Sequence, residues 1–278
     1  MSLSTEDLDF VRALVRERSA IVLEREKAYL VEARLQPLAR REGYESLPAL
    51  VTALRRQAYQ GLPDRVVDAM TTNETSWFRD VRPFEALRTS VLPDLIERRR
   101  PQRSLRIWCA ASSSGQEPYS ILMVIRHYFP ELVNWDIRIL ATDISVEMLD
   151  RTRTGVYSQL EVNRGLPAQM LVRFFEKDGL NWRVKQTLRD DVDVRQLNLA
   201  TAWPALSDMD VVFLRNVLIY FDLETKRHIL GKVRRIIRPD GYLFLGGAET
   251  TLNVDEAFGR HDRAVSGCYT LRLVTSTA

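Results

Sequence analysis

Residues 105–129, "LRIWCAASSSGQEPYSILMVIRHYF", decide the fold class. The stretch begins with an apolar, strand-like run, passes through a serine-rich turn and continues with apolar residues at helical spacing. A strand, a turn and a helix in this order are typical of the ligand-binding edge of a doubly wound sheet. The turn contains a single glycine, Gly115, whereas a dinucleotide fingerprint needs several. The turn therefore need not let a pyrophosphate approach the backbone.

Further strand-like runs follow, and helical stretches separate them. They are "DIRILATDI" (136–144), "DVDVRQLNL" (191–199), "DMDVVFLRNV" (208–217) and "GYLFLGGA" (241–248). This alternation predicts an α/β fold with a doubly wound, mostly parallel sheet that carries helices on both faces. The late stretch "FGRHDRAVSGCYTLRLV" (258–274) has two β-rich runs around Ser266 and Gly267, which predicts a terminal antiparallel hairpin.

The remaining patterns predict how the chain is divided. Residues 1–72 show helical spacing throughout, which indicates a small helical N-terminal domain. Residues 73–84 form a linker, and residues 85–278 form the sheet domain. The stretch "FFEKDGLNWRVKQTLRDDV" (174–192) has an Asp178-Gly179 turn between β-prone residues, so we expect a small antiparallel subdomain inserted at about residues 172–193.

Composition excludes several classes of protein. The chain has 278 residues, and its 40 Lys and Arg exceed its 37 Asp and Glu by only three, so a protein that coats a polyanion is not expected. The two cysteines are far apart and no Cys/His cluster exists, which argues against a disulfide framework and against a bound metal. The start is acidic and helix-like, and the most apolar run is interrupted by polar residues. We expect a soluble, cytoplasmic protein that does not insert into membranes.

Two carboxylates follow the first two strands of the predicted sheet. Pro118 suits the first turn of a helix and so places Glu117 near a helix N-terminus, where backbone N–H groups point towards a ligand. Asp143 ends the second strand, where an acidic residue typically accepts the hydroxyls of a ribose. A nucleoside without phosphates fits this pattern, and S-adenosylmethionine is the common one. The alternative is that each carboxylate simply caps a helix.

Separated motifs carry a family resemblance when they are taken together. They are "TTNETSWFRD" (71–80), "CAASSSGQEPYS" (109–120), "ATDIS" (141–145), "NL" (198–199) and "LRNVLIYFD" (214–222). In this order and at these distances the chain resembles the chemotaxis-receptor glutamate methyltransferases of the CheR type, over nearly its whole length. The resemblance implies a helical domain joined to an S-adenosylmethionine-dependent methyltransferase domain, with a small antiparallel subdomain inserted in the latter and a linker that contributes to the active site.

The resemblance also implies site residues. It assigns cofactor contacts to Asn73, Thr75, Arg79, Glu117, Asp143, Asn198, Leu199, Arg215, Asn216 and Tyr220. The chain departs from the family pattern in two places. Gln116 stands where the family usually has the first of two acids, and Gly247-Ala248 precede Glu249 where the family often has His-Ser. Because Glu117 is kept, we expect the binding carboxylate to be retained, whereas no role of the missing His or Ser is carried over to this chain.

The implied chemistry needs no general base. A glutamate side chain has a pKa near ~4.3 and is already ionised at neutral pH, so it can attack the sulfonium-bound methyl directly. Rate then depends on alignment and on exclusion of water. We expect Arg79 and Tyr220 to be catalytic and to flank the methyl group, and His127, His228 and His261 to be uninvolved.

Two further expectations concern the neighbours of these residues. Asn216 and Tyr220 are four apart, so one helical turn would make them face the same way. We expect Trp77 and Phe78 to pack at the domain junction. For Arg79, the alternative is a surface ion pair with Asp80 or Glu85.

The segment "KAYLVEARLQPL" (27–38) predicts a substrate-binding surface. At helical spacing, Lys27 and Arg34 fall within the arc of the leucines, which suggests an interface for an acidic receptor helix. Packing of their aliphatic stems at the domain junction is an equal alternative. Pro37 is expected to kink or end this helix.

The expected partners are the helical cytoplasmic region of chemotaxis receptors and, at the inserted subdomain, a receptor C-terminal tail, with no nucleic acid. Two other functions stay open. The basic run Arg98, Arg99 and Arg100 suggests methylation of a nucleic acid, although it is also suited to a helix C-terminus and no aromatic-interleaved basic groove accompanies it. A binding protein that tethers to receptors without turnover is the other alternative.

Overall fold

A computed structural model describes residues 2–56, 61–206, 208–261 and 267–272. The chain folds into two compact units. The helical unit comprises Met1–Thr72, Asn198–Ala202 and Tyr220–Lys226, and the sheet unit comprises Asn73–Leu197, Trp203–Ile219 and Arg227–Ala278. Among the described residues, no helix combines the length and apolarity needed to cross a membrane.

Four α-helices in the described residues before Thr72 pack around an apolar core. They are α1 (Thr5–Ser19), α2 (Ala28–Arg41), α3 (Leu47–Arg55) and α4 (Leu62–Met70). Ser4 caps α1 because its side chain accepts the Asp7 N–H. The apolar residues at helical spacing, among them Val11, Leu35 and Leu50, are fully buried, so the predicted amphipathic pattern does form the core.

The expectation for Pro37 is wrong in one respect. The α2 helix does not end at this residue but continues to Arg41. Leu38 and Ala39, just beyond the proline, are buried in the helical core. Their packing holds the last turn of α2, although Pro37 cannot donate a backbone hydrogen bond.

The sheet unit is built on a seven-stranded sheet with the order β6-β2-β1-β7-β8-β10-β9. Its strands are β1 (Ser104–Ala110), β2 (Asp136–Asp143), β6 (Val192–Gln196), β7 (Met209–Leu214), β8 (Ile237–Leu245), β9 (Phe258–Arg260) and β10 (Cys268–Leu271). The first five of these pair in parallel. Strand β10 runs antiparallel to both β8 and β9. The α/β fold class is confirmed, and so is the pairing of the terminal strands; the turn at Ser266 lies outside the described residues.

The other α-helices of the described chain precede β1 or lie between later strands in sequence. They are α5 (Arg82–Ala86), α6 (Leu92–Arg99), α7 (Gln116–Tyr128), α8 (Val146–Thr154), α9 (Gln159–Val162), α10 (Ala168–Phe174), α11 (Gln186–Arg189) and α12 (Leu223–Ile236). A π-helical turn, Leu87–Val91, joins α5 to α6. Helix α7 connects β1 to β2, so the strand, turn and helix of residues 105–129 form one crossover unit of the sheet.

An antiparallel subdomain precedes β6, as the sequence predicts. Strands β4 (Phe175–Asp178) and β5 (Asn181–Val184) form a hairpin in which Asp178 faces Asn181. Gly179 has a φ of 58°, a conformation that glycine adopts readily. The structure adds a third strand, β3 (Val156–Tyr157), which pairs with β5 and is too short to give a sequence signal.

Aromatic side chains fill the core of the sheet unit. Trp77 is buried and meets Tyr157 and Phe175 edge-on, at ring-centroid distances of 4.8 and 5.3 Å. Phe78 packs edge-on against Phe84 at 5.3 Å. Trp77 belongs to the core of the sheet unit and Phe78 packs against that core, so both anchor the segment that follows Thr72; their packing at the domain junction stays a prediction.

Buried charge explains part of the basic run at the end of α6. Arg99 is buried and donates to Asp210 at 2.6 Å and to Asp240 at 2.6 and 2.9 Å. The Arg99 guanidinium lowers the pKa of the Asp240 carboxyl to about 2. Arg98 bonds to the Asp240 backbone and to the Tyr242 hydroxyl. Two of the three arginines that suggested a nucleic-acid substrate thus have a structural role.

Replacing Arg99 should destabilise the fold. In Arg99→Met the buried Asp210 loses its main cation, so we expect the free energy of unfolding to fall by about 3 kcal/mol. The matched control is Arg100→Met on the exposed neighbour, which should change it by no more than about 0.5 kcal/mol. Urea denaturation of the two variants and the wild type measures the difference. Equal stability of the two variants would contradict this role of Arg99.

Candidate active site

The turn after β1 and the end of β2 are joined by backbone hydrogen bonds. The Ser112 N–H donates to the Thr142 carbonyl at 2.8 Å. Gly115 has a φ of 92°, and a Cβ at this position would lie 2.8 Å from the Thr152 side chain. The single glycine of the turn is therefore required by close packing against α8. This agrees with the expectation that the turn is not a glycine cradle for phosphates.

Asp143 organises this turn. Its carboxylate accepts the Ser113 N–H at 2.8 Å and the Ser145 N–H at 3.0 Å, and the side chain is buried. Helix α8 is capped by Ser145, which accepts the Met148 N–H. The alternative in which Asp143 is the helix cap is wrong. A carboxylate has two oxygens, each of which can accept more than one hydrogen bond.

Glu117 forms a buried ion pair at the same edge of the sheet. It lies in the first turn of α7, whose N-cap is Gly115 and not Glu117. Arg215, directly after β7, donates to the Glu117 carboxylate at 2.7 Å, and its side chain is only 1% exposed. The pKa of Glu117 is raised by burial, although Arg215 and then Arg79 act in the opposite direction. The positive charge of Arg215 therefore stabilises the ionised form of Glu117, whereas burial favours its protonated form.

Arg215 also holds the segment that contains Arg79. Its second nitrogen donates to the Asp80 carboxylate at 2.7 Å and to the Arg79 carbonyl at 3.0 Å. Arg79 itself donates to the Glu74 carbonyl at 2.9 Å. Asp80 pairs with Arg215 and Glu85 pairs with Arg88, so the structure does not show the surface ion pairs that were the alternative for Arg79.

The rest of this segment reaches the turn after β1. The Asn73 carbonyl accepts the Ser113 hydroxyl at 2.8 Å. The Phe78 N–H donates to the Ser120 hydroxyl at 3.1 Å. Thr75 lies between these contacts and is partly exposed. The structure therefore brings together residues from four of the sequence motifs, at the carboxyl ends of β1, β2 and β7.

The loop after β7 differs from the expectation. Asn216 has a φ of 57°, and a 3₁₀ turn covers only Leu218–Tyr220. The expectation that Asn216 and Tyr220 face the same way on one helical turn is therefore wrong. The Glu249 carboxylate accepts the Asn216 N–H at 2.8 Å. Asparagine tolerates a positive φ better than most residues, which explains its use here.

Three predicted cofactor residues belong to the helical unit, whereas the others belong to the sheet unit. The Asn198 amide donates to the Arg18 carbonyl at 2.6 Å. Leu199 is buried. The Tyr220 carbonyl accepts the Val22 N–H at 2.9 Å.

The interpretation of the segment at residues 27–38 is wrong in its helical register. Lys27 precedes α2, is exposed and pairs with Glu24 at 2.7 Å. The buried face of α2 is formed by Val31, Leu35, Leu38 and Ala39, so Lys27 is not in an apolar arc. Arg34 donates to the Met70 carbonyl at 2.6 Å and to the Thr72 hydroxyl at 2.8 Å. These hydrogen bonds connect α2 to the end of α4. Substrate contacts of Lys27 and Arg34 stay predictions.

Two acidic residues of the site were missed. Asp80 was considered only as a partner of Arg79, and Glu249 was noted only beside the departure at Gly247 and Ala248. Both make buried or partly buried hydrogen bonds to the loop after β7. A signal for Glu249 did exist, because it is an acid in the loop that follows the last parallel strand, at the edge where ligands bind.

The fold and the site together define an S-adenosylmethionine-dependent methyltransferase, and comparison with known proteins gives the family. Residues 6–71 match the model of the CheR methyltransferase all-alpha domain, and residues 73–265 match that of the CheR methyltransferase SAM-binding domain. The chain belongs to the CheR methyltransferase family.

Named relatives agree with this assignment. The chain is 44% identical over 264 residues to chemotaxis protein methyltransferase 1 of Pseudomonas aeruginosa, covering 93% of this chain and 95% of that protein. It is also 44% identical over 253 residues to chemotaxis protein methyltransferase Cher2 of Pseudomonas putida, covering 89% of this chain and 92% of that protein.

The residues of the site fit S-adenosylmethionine. The ribose hydroxyls and the amino group of this cofactor are hydrogen-bond donors, and the carboxylates of Asp143 and Glu117 are acceptors at adjacent strand ends. In the part of the chain that the structure describes, no group of three or more His, Cys, Asp or Glu side chains could hold a metal ion.

Proposed function

We propose that this protein transfers the methyl group of S-adenosylmethionine to glutamate side chains of chemotaxis receptors, forming methyl esters. The observation that carries the proposal is the convergence of Asp143, Glu117, Arg215 and the Arg79–Asp80 segment at the carboxyl edge of one sheet. The names of the relatives support a role in chemotaxis.

The chemistry of the site supports a carboxylate acceptor. An ionised glutamate needs no general base. His127 lies against Arg173 at 2.9 Å, and His261 lies against the Ser90 hydroxyl at 3.4 Å, so these two histidines have other neighbours. When bound, the cofactor supplies an electrophilic methyl group. The protein then has to hold the acceptor in line and exclude water.

We assign each residue of the site a role in binding the cofactor or in orienting the acceptor. Asp143 binds the ribose hydroxyls, and Glu117, neutralised by Arg215, binds a donor group of the cofactor. Asn73, Thr75 and Asn216 complete the cofactor contacts in the sheet unit, with the linker at residues 73–84 as part of the site. Arg79 orients the incoming carboxylate through two parallel hydrogen bonds. Asn198, Leu199 and Tyr220 remain predicted contacts from the helical unit.

The inserted subdomain is the proposed docking site for a receptor C-terminal tail. Strand β4 lies at the edge of the three-stranded sheet and pairs only with β5 in the described chain. An extended peptide can add a strand to such an edge. Leu180 is 90% exposed at the hairpin turn, which offers an apolar contact for the peptide.

Replacing Tyr220 should affect the rate more than cofactor binding. In Tyr220→Phe the ring remains and continues to exclude water, whereas the hydroxyl that orients one carboxylate oxygen is lost. We expect nearly unchanged affinity for S-adenosylhomocysteine in calorimetry and a reduced single-turnover rate. Unchanged turnover would rule out this role for the phenol.

The proposed function is tested with methyl-labelled cofactor and a choice of acceptors. The protein is incubated with receptor cytoplasmic fragments or with RNA, and the products are treated with mild base. We expect labelled methanol from the receptor fragment only, because a carboxyl ester hydrolyses to methanol and an N-methyl group does not. Label transferred to RNA would favour the nucleic-acid alternative, and absence of any transfer would favour a binding protein.

A further inference from the structure

The Glu249 carboxylate accepts several backbone hydrogen bonds at the carboxyl edge of the sheet. It accepts the N–H groups of Gly246 at 2.7 Å, Asn216 at 2.8 Å, Val217 at 2.9 Å and Ile219 at 3.3 Å. The side chain is buried, at 9% exposure. One carboxylate thus satisfies several N–H groups that the loop after β7 would otherwise leave without a protein acceptor.

Gly246 has no room for a side chain beside Glu249. A Cβ at Gly246 would lie 2.7 Å from a Glu249 carboxylate oxygen and 2.7 Å from the Asn216 side-chain amide. Such distances are too short for non-bonded atoms, so a larger residue would push both groups away. At Gly247, by contrast, a Cβ would meet nothing within 4 Å. The need for glycine is therefore specific to the position that faces Glu249 and Asn216.

The loop that Glu249 holds is the one that bears the proposed cofactor residues. Arg215 and Asn216 follow β7 directly, and Asn216 has the positive φ of 57° that a free chain populates poorly. Hydrogen bonds donated to an ionised acceptor are stronger than those between neutral groups and can offset the cost of such a conformation.

We infer that Glu249 is a positioning residue, which acts through the backbone of residues 216–219 to present Asn216 to the cofactor. The inference rests on the proposed assignment of Asn216 to the cofactor. This role of Glu249 does not require the His and Ser of the family pattern, which Gly247 and Ala248 replace in this chain.

The first test is Glu249→Gln, with exposed Glu256→Gln as the matched control. An amide offers one acceptor oxygen and turns a donor towards the same N–H groups, so the loop should lose its conformation. Calorimetry should show S-adenosylhomocysteine binding weakened by about tenfold or more in Glu249→Gln, from the loss of charged hydrogen bonds, and unchanged in the control. Hydrogen exchange by NMR should show the amides of Asn216, Val217, Ile219 and Gly246 becoming faster together.

The second test reaches the same contact by another route. Gly246→Ala should weaken S-adenosylhomocysteine binding like Glu249→Gln, whereas Gly247→Ala should bind like the wild type. If Glu249→Gln does not fold, the glycine pair decides. Wild-type affinity in a folded Glu249→Gln protein or in Gly246→Ala, or unchanged exchange of the loop amides, would overturn the inference. Because no methyl acceptor is present, these results are independent of whether receptors are the substrate.

Discussion

Asp143→Ala should weaken the binding of S-adenosylhomocysteine by about 1.5–3 kcal/mol, the range typical of a charged hydrogen bond. The carboxylate is proposed to accept the ribose hydroxyls, and it also accepts the Ser113 and Ser145 N–H groups. Its removal therefore takes away a ligand contact and loosens the turn that lines the site. Each 1.4 kcal/mol corresponds to about tenfold in the dissociation constant, so calorimetry should resolve the effect easily.

The control for this variant is Asp150→Ala. Asp150 lies on α8, pairs with Arg153 at 2.7 Å and is exposed, so the substitution removes the same charge outside the proposed site. We expect wild-type affinity there. Asp143→Asn should fall between the two alanine variants, because the amide keeps one acceptor oxygen but not the charge. Wild-type affinity in Asp143→Ala would overturn its assignment to the ribose.

Arg79→Ala should slow single turnover by more than about tenfold, which is about 1.4 kcal/mol of barrier. Its guanidinium is proposed to align the glutamate carboxylate with the methyl group, so the loss should persist when cofactor and receptor are both saturating. Arg79 donates a hydrogen bond to the backbone carbonyl of Glu74. Its charge also lowers the pKa of Glu117, although burial, which raises that pKa, and Arg215, which lowers it, have larger effects. Neither contact uses the guanidinium fully.

Arg100→Ala is the matched control for Arg79→Ala. Arg100 is exposed and follows α6, so its removal takes away the same charge outside the linker at residues 73–84. We expect the wild-type rate. A rate equal to the wild type in Arg79→Ala under the same saturating conditions would make Arg79 a binding or surface residue. Arg79→Lys should restore only part of the rate, since an ammonium group cannot make the planar pair of hydrogen bonds.

The fold was predictable wherever local pattern and burial agree. The apolar runs that end at Asp143 and Leu214 are strands because both faces of a parallel sheet are covered. The helix at residues 27–38 was predicted with the wrong register because Lys27 lies in a separate 3₁₀ turn, a break that apolar spacing does not show. Strand β3 was missed because its two residues acquire their pairing only from β5.

The site was predictable at strand ends and not in the loops. Asp143 and Glu117 follow from the order of strand, turn and helix, and the structure places both at the carboxyl edge of the sheet. The loop after β7 was wrongly predicted as a helical turn. Asn216 has a positive φ there, and its N–H donates to the carboxylate of Glu249, which lies far along the chain. Hydrogen bonds between distant segments leave no periodic signal in the sequence.

The central claim is that the methyl acceptor is a glutamate side chain of a chemotaxis receptor. The most direct test is peptide mapping by mass spectrometry after incubation of the protein with S-adenosylmethionine and a receptor cytoplasmic fragment. The account predicts a mass increase of one methylene on glutamate side chains, which disappears after mild base treatment and is reduced by more than about tenfold at early times when Arg79→Ala replaces the wild type. A base-stable methyl group on lysine or on another nitrogen would contradict it.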